Sequence, residues 1–291
     1  MNKLSFSGHE SFVCRQFWLK KGYDFIKRNE KFSDDMAVVS LGVGKNMVSS
    51  IRHWMKSFGL TGDKDETQDL SEYLFGTSGK DPYLEDLATQ WLLHYSLIKT
   101  NRASIYNLVF NEFRKERIEF TKPQIDTFIK RRCEETGSNY NANTTKSDIS
   151  VFLRTYMSPK PGETFSVEDD FSGVLIDLNL IDHSKARDTE DKLIDWYKLS
   201  AKERDNLPHQ IVLFSILDNE DYGDTISLRE LQIGLNSPGL SFALTSEGLY
   251  QKIKEICAHY SQITYSETAG NQIIQFKNKP NKWDVLNDYY G

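Results

Sequence analysis

Apolar residues recur along most of the chain at the three- and four-residue spacing of amphipathic helices, interrupted by polar segments holding glycine and proline. The clearest stripe covers 46–58. Met47, Val48, Ile51, Trp54, Met55 and Phe58 share one face there, and Asn46, Ser49, Arg52, His53 and Lys56 share the other. Upstream, 34–41 predicts a short helix ending at Gly42, with Gly44 as a second flexible point. A helix, a glycine turn and an amphipathic helix make the layout of a helix-turn-helix.

The stretch 61–80 reads as a wing or connecting loop around an apolar knot at 70–75. Asp81 and Pro82 predict the N-cap and first residue of a long helix reaching about 98, with Leu84, Leu87, Ala88, Trp91, Leu92, Tyr95 and Ile98 inward. Helices follow over 104–116 and 122–134, and 136–146 is a loop by composition. Ser147 is the predicted cap of a helix carrying Ile149, Phe152, Leu153 and Tyr156, stopped by Pro159, Pro161 and Gly162. From Phe165 the pattern restarts: apolar 174–181, charged and exposed 182–192, and a nearly continuous apolar helix over 208–217. Helices over 227–235 and 245–260 flank a Pro238-Gly239 turn. Alternating runs at 262–267 and 272–277 then predict a hairpin. The expected fold class is mainly α with small β hairpins and helix-turn-helix or winged-helix-like units. Two domains are expected, 1–160 with the helix-turn-helix and 161–291 with a winged-helix-like end.

Composition narrows the function classes. With 291 residues, 38% of them hydrophobic and 12% aromatic, the chain can bury real cores. A net charge of −6 excludes indiscriminate coating of nucleic acid and leaves room for a local basic face. The longest charge-free apolar run, 90–98, is about half of what spans a bilayer, so no membrane partner is expected. The amino terminus lacks a secretory layout. Cys14, Cys133 and Cys257 are odd in number and far apart, which argues against a disulfide framework or structural zinc and fits a cytoplasmic protein.

Candidate chemistry concentrates in two segments. In 5–25, His9 and Glu10 follow Gly8, and Arg15, Lys20 and Lys21 come soon after. A carboxylate and an imidazole beside cations suit phosphodiester chemistry, as metal ligands or base with a phosphate clamp. The alternative is a packed segment with a hydrogen-bonded His9 and solvated lysines. In 41–60, Gly42, Gly44 and Lys45 lack phosphate-loop spacing, and a helix start offering Lys45, Asn46, Ser49, Arg52 and Lys56 to DNA is the better reading. A helix pair used for packing stays open. The acids Asp81, Glu85 and Asp86 with His94 read as caps more than ligands. Asp148 and Arg154 lie away from the apolar stripe of their helix, where Arg154 can clamp a phosphate or pair with an acid. Cations at 114–132 are interleaved with acids, and Glu190-Asp191-Lys192 lacks the acid that would make it a nuclease motif.

Four segments in order, FSGHESFVCRQFWLKKGYDF, LGVGKNMVSSIRHWM, DPYLEDLATQWLLHY and DISVFLRTY, resemble the SspB-like family of bacterial DNA phosphorothioation systems, first described as a domain of unknown function. The likeness extends to EDDFSGVLIDLNLI and SPGLSFALTSEGL. It implies a protein that binds double-stranded DNA and nicks one strand in anti-phage defence. The partners it implies are a cysteine desulfurase and a sulfur-transfer ATPase, and a homodimer is left open. A non-catalytic DNA-binding or scaffolding subunit is the alternative. No nuclease signature is visible, so roles are assigned on the residues themselves. His9, Glu10 and Arg15 are expected to be catalytic, His9 and Glu10 to hold a divalent metal (Mg or Mn), and Lys20, Lys21, Lys45, Asn46, Ser49, Arg52, Lys56 and Arg154 to meet DNA.

Overall fold

The computed structural model describes residues 3–158, 173–187 and 191–291. The chain is mainly α-helical, with two small three-stranded antiparallel sheets. It divides into two units, Met1–Leu199 and Ser200–Gly291.

The first unit opens with α1 (Trp18–Lys27), α2 (Ala37–Leu41) and α3 (Lys45–Ser57). Gly42 takes the left-handed conformation that ends α2. α3 buries Val48, Ile51, Trp54 and Met55, as its stripe demands. The 61–80 stretch is more than a loop, because its apolar knot forms α4 (Asp69–Phe75) behind a Gln68–Ser71 capping box. α5 (Leu87–Thr100) starts later than Asp81. Asp86 is its cap, accepting from the Ala88 N–H at 2.7 Å. Asp81 instead holds the preceding loop through the Glu85 and Asp86 N–H groups, both at 3.0 Å. α6 (Ser104–Leu108) continues through a π-helical turn (Val109–Phe113) into α7 (Arg114–Glu116).

β1 (Glu119–Phe120) then leads to α8 (Lys122–Thr136), with a Thr121–Gln124 capping box and Pro123 in the first turn. α9 (Ala142–Tyr156) begins before Ser147, since Asn141 caps it by accepting from the N–H groups of Asn143 and Thr144. The core gathers Trp54, Trp91, Tyr106, Phe110, Phe152 and Tyr156, all fully buried. His94 is buried too, its Nδ1 2.9 Å from the Tyr156 hydroxyl, far from any role with Asp81 or Glu85.

The stretch 173–199 belongs to this unit. Val174 N–H donates to Cys14 O, Gly173 bridges Arg15, and Leu199 N–H donates to Ile118 O. β2 (Asp182–Arg187) and β3 (Leu193–Lys198) form a hairpin, and β3 also pairs with β1, giving the order β1-β3-β2. The segment read as merely charged is thus partly a strand, because pairing to β3 satisfies its backbone whatever its side chains. The division therefore falls at 199/200, beyond the expected 160/161. That expected boundary and the helix stop at Pro159, Pro161 and Gly162 lie outside the described residues, as do parts of the 168–181 and 190–192 segments.

The second unit runs α10 (His209–Leu217), β4 (Thr225–Ser227), α11 (Leu228–Ile233), α12 (Pro238–Ser241), α13 (Ser246–His259), β5 (Ile263–Thr268), β6 (Asn271–Phe276) and α14 (Lys282–Tyr290). α10 is apolar all round and buried, as such a helix must be. The Pro238-Gly239 turn is itself α12, capped by Ser237. The hairpin forms where its alternation placed it. β4 adds to β6, so the order is β4-β6-β5, with Ile226 opposite Ile274 and Ile263 opposite Phe276. Among the described residues no helix is long and apolar enough to cross a membrane.

Candidate functional site

The segment before α1 makes an unusual turn. Ser7, Gly8, Glu10 and Ser11 all have positive φ, at 73°, 95°, 47° and 65°. Only glycine fits at 8, because a Cβ there would stand 2.4 Å from His53 Nδ1. The turn drives His9 inward, where its ring stacks on Trp54 at 6.2 Å and meets His53 edge-on at 5.9 Å. His9 Nε2 lies 2.5 Å from Asp148 Oδ1, and both residues are buried. The Ser11 N–H donates to His9 Nδ1 at 3.1 Å. A donor at Nδ1 puts the ring proton on Nε2, directed at Asp148. Asp148 accepts a second donor, the Ser7 N–H, at 3.1 Å from both oxygens.

The carbonyls of the turn are held as firmly. Ser50 Oγ donates to His9 O at 3.0 Å, Trp54 Nε1 to Phe12 O at 3.1 Å, and Arg154 Nη2 to Ser11 O at 2.6 Å. The turn is therefore fastened to α3 on one side and α9 on the other. Ser11 and Ser147 face each other at its rim, hydroxyl to hydroxyl at 3.1 Å.

Burial and the neighbouring His9 push His53 down to about 4. An unfolded histidine protonates near 6.5, so between these values the unfolded chain binds more protons and stability falls as the pH drops from about 6.5 toward 4. We expect a loss on the order of 2 kcal/mol across that window. Urea midpoints at pH 7 and pH 4.5 measure it, and His53→Asn is expected to flatten the difference.

The structure sorts the residues singled out by sequence. Glu10 is exposed at the tip of the turn. Arg15 is half-buried, its guanidinium 5.1 Å from the centroid of Trp18. Lys20 donates to Asp24 at 2.5 Å, and Lys21 donates to Leu41 O at 3.0 Å, tying α1 to the end of α2. Lys45, Asn46 and Ser49 are exposed on the first turns of α3. Arg52 and Lys56 are both turned to Asp65, at 2.8 and 3.0 Å, and Lys56 also donates to Asp63 O. Arg154, half-buried, holds the turn of 7–11 through Ser11 O, and Asp148, expected on an outward face, is buried beneath the turn.

His9 and Glu10 thus diverge: one ring points into the core and one carboxylate out of it. Sequence reasoning missed Asp148 as the partner of His9, and Asp65 as the acid that occupies two cations of α3. The only signal for the first was a lone acid two positions from Lys146, away from the apolar stripe of its helix. For the second it was the acid-rich 63–66 stretch.

The sequence matches a protein family described as "Protein of unknown function (DUF4007)" over residues 6–290. No curated protein matches the chain. Among solved structures, a magnesium ion-bound SspB crystal structure superposes with a TM-score of 0.84 and a further SspB crystal structure with 0.83. Each is 26% identical in sequence, and each match covers 98% of this chain and 88% of the other. Magnesium belongs to that protein. At 9 and 10 this chain does not fit a divalent ion: both ring nitrogens of His9 and both oxygens of Asp148 are engaged, and Glu10 points away. Among the described residues no three His, Cys, Asp or Glu side chains gather to hold a metal.

Proposed function

The chain belongs to the DUF4007 family, and from its likeness to SspB we propose that it contacts double-stranded DNA as a component of a bacterial DNA phosphorothioation system, where it nicks one strand. The observation that carries this reading is the SspB likeness over 98% of the chain. Its partners in this reading are the cysteine desulfurase and the sulfur-transfer ATPase of the same cytoplasmic system. Local geometry supports the DNA contact at the start of α3. Gly44 leads into that helix without a side-chain cap, and Lys45, Asn46 and Ser49 stand exposed where cations and free backbone N–H groups suit phosphates. The Gly42-to-α3 pair is the helix-turn-helix of this reading. In the second unit, the order α10-β4-α11-α12-α13-β5-β6, with α12 a single short turn, and the sheet order β4-β6-β5 support a winged-helix unit.

Charge favours the first unit as the DNA side. The second holds eight Lys and Arg against twelve Asp and Glu, and its α13 exposes Glu247 and Glu255 beside Lys254. A helix with that balance releases few counterions from a duplex. In the first unit Lys45→Ala is expected to lower duplex affinity and reduce the salt slope by about 0.9. Arg52→Ala is expected to change neither, since Arg52 is spent on Asp65. Polarisation titrations from 50 to 300 mM salt distinguish the two.

A second reading, a non-catalytic DNA-binding or scaffolding subunit, is favoured by the internal use of His9, which serves the fold with both nitrogens. Supercoiled plasmid incubated with the protein and a series of divalent ions separates the readings. Open-circular product that is lost in Glu10→Gln supports nicking from the exposed turn. Duplex binding without any nicking moves the protein to the second reading.

A further inference from the structure

Of the four residues with positive φ in the turn at 7–11, three are not glycine: Ser7, Glu10 and Ser11. A side chain in the left-handed region is strained, and Gly or Asn is the usual occupant of such a position. Strain of this kind persists only where the surroundings over-determine it, and it collects where a protein needs a side chain held in one direction. Here the surroundings do over-determine it. On one side of Glu10, His9 is fixed at Nε2 by Asp148, at Nδ1 by the Ser11 N–H and at its carbonyl by Ser50 Oγ. On the other side, Ser11 is fixed at its N–H by His9, at its carbonyl by Arg154 and at its hydroxyl by Ser147. These partners lie on α3, on α9 and within the turn itself. Glu10, between them, is the exception. It is exposed, and among the described residues its carboxylate has no hydrogen bond and no ion pair.

A strained turn tied down on both sides of one free carboxylate is the geometry of a reactive group held ready. We propose that His9 and Asp148 are positioning residues for Glu10: the buried pair fixes the turn, and the turn aims the carboxylate at the phosphodiester to be cut. This rests on the nicking reading above and deepens it by giving His9 a place outside the chemistry. In the step itself, Glu10 takes a proton from the water whose oxygen bonds to phosphorus. The bond from phosphorus to one ester oxygen breaks, and that oxygen leaves with a proton from solvent. His9 takes no part in the exchange, since both its nitrogens are engaged inside. The two links of its ring can be cut separately. Glutamine carries its amide nitrogen as many bonds from Cβ as histidine carries Nε2, so His9→Gln keeps a donor for Asp148. Asparagine is one bond shorter: its oxygen can accept from the Ser11 N–H where Nδ1 stood, but its amide does not reach Asp148.

The test follows supercoiled plasmid to open circles with the full chain, over a range of DNA concentrations and pH, so that kcat, KM and the pH profile are read for each variant. A thermal melt sets an assay temperature at which the variants are folded. Glu10→Gln is expected to lower kcat by about a hundredfold or more. His9→Asn and Asp148→Ala are expected to lower kcat by about tenfold and leave KM and duplex affinity within about twofold, because a misaimed carboxylate loses rate and not binding. His9→Gln is expected to keep kcat within about threefold and to keep the pH profile of the parent. Where Asp148→Ala does not fold, the two His9 variants decide alone. A His9→Gln protein as inactive as Glu10→Gln overturns the proposal, since His9 would then react itself. A folded His9→Asn protein with the kcat of the parent overturns it too, because the turn would aim nothing. If Glu10→Gln nicks as fast as the parent, the nicking reading stands and the positioning of Glu10 falls. A parent that binds duplex without nicking overturns both.

Discussion

Trp54→Ala is expected to destabilise the first unit by about 3–5 kcal/mol, enough to threaten folding altogether. Trp54 has no exposed surface. Its ring lies against His9, His53, Phe58 and Tyr106, at centroid distances of 6.2, 5.4, 5.7 and 6.1 Å. Its indole N–H holds Phe12 O. Alanine would leave a large void and an unpaired carbonyl, and would remove the wall that His9 rests on. Trp54→Phe refills most of the space and loses only the hydrogen bond, so it should cost about 1–2 kcal/mol. Chemical denaturation of both variants beside the parent reads the difference. Equal midpoints for all three would show that the turn is not built on this ring.

Asp148→Ala is expected to cost about 3 kcal/mol, because it strands the buried His9 Nε2–H and takes the acceptor from the part-buried Ser7 N–H. Asp148→Asn keeps the shape and can still accept one of them, so it should fall between alanine and the parent. Loss of the turn would also free residues 7–11 from α9. Faster proteolysis within the first dozen residues, with the rest of the chain protected, is the local signature. Full stability of Asp148→Ala would mean that the His9–Asp148 contact contributes nothing to holding the turn.

Spacing alone revealed α3 with its inward Trp54, the buried α10 and the β5–β6 hairpin. Each of these is short-range: a stripe at 3.6 residues, an unbroken apolar run, or an alternation around a Gly-containing turn decides it locally. Where reading by residue type slipped, two local signals competed. Asp81-Pro82 looks like a helix start, but Leu84 adopts a φ of 57° and the chain turns once more before Asp86 caps α5. Asn141 won over Ser147 as the cap of α9 because the helix could extend through polar residues that composition assigns to a loop. The hairpin β2–β3 carries no clean alternation, and β3 holds it through pairing with both β2 and β1.

The candidate site shows the same division more sharply. That 7–11 is a special turn was written in Gly8, and that cations crowd α1 and the start of α3 was written in the order of residues. Which of those cations face solvent was not. Arg52 and Lys45 are equivalent by type, yet Asp65, thirteen positions beyond Arg52, takes one and leaves the other exposed. His9 and Glu10 are neighbours in sequence and part company in space, because Asp148 is 139 residues from His9 and only the packing of α9 against the turn brings it within 2.5 Å. Helix phase and chain chemistry are set by bonds a few residues long, so the sequence alone determined the helices, the turn glycine and the supply of charge. Partner choice for each charged group is a contest among all groups that the fold brings near, and the tertiary structure alone decided that contest.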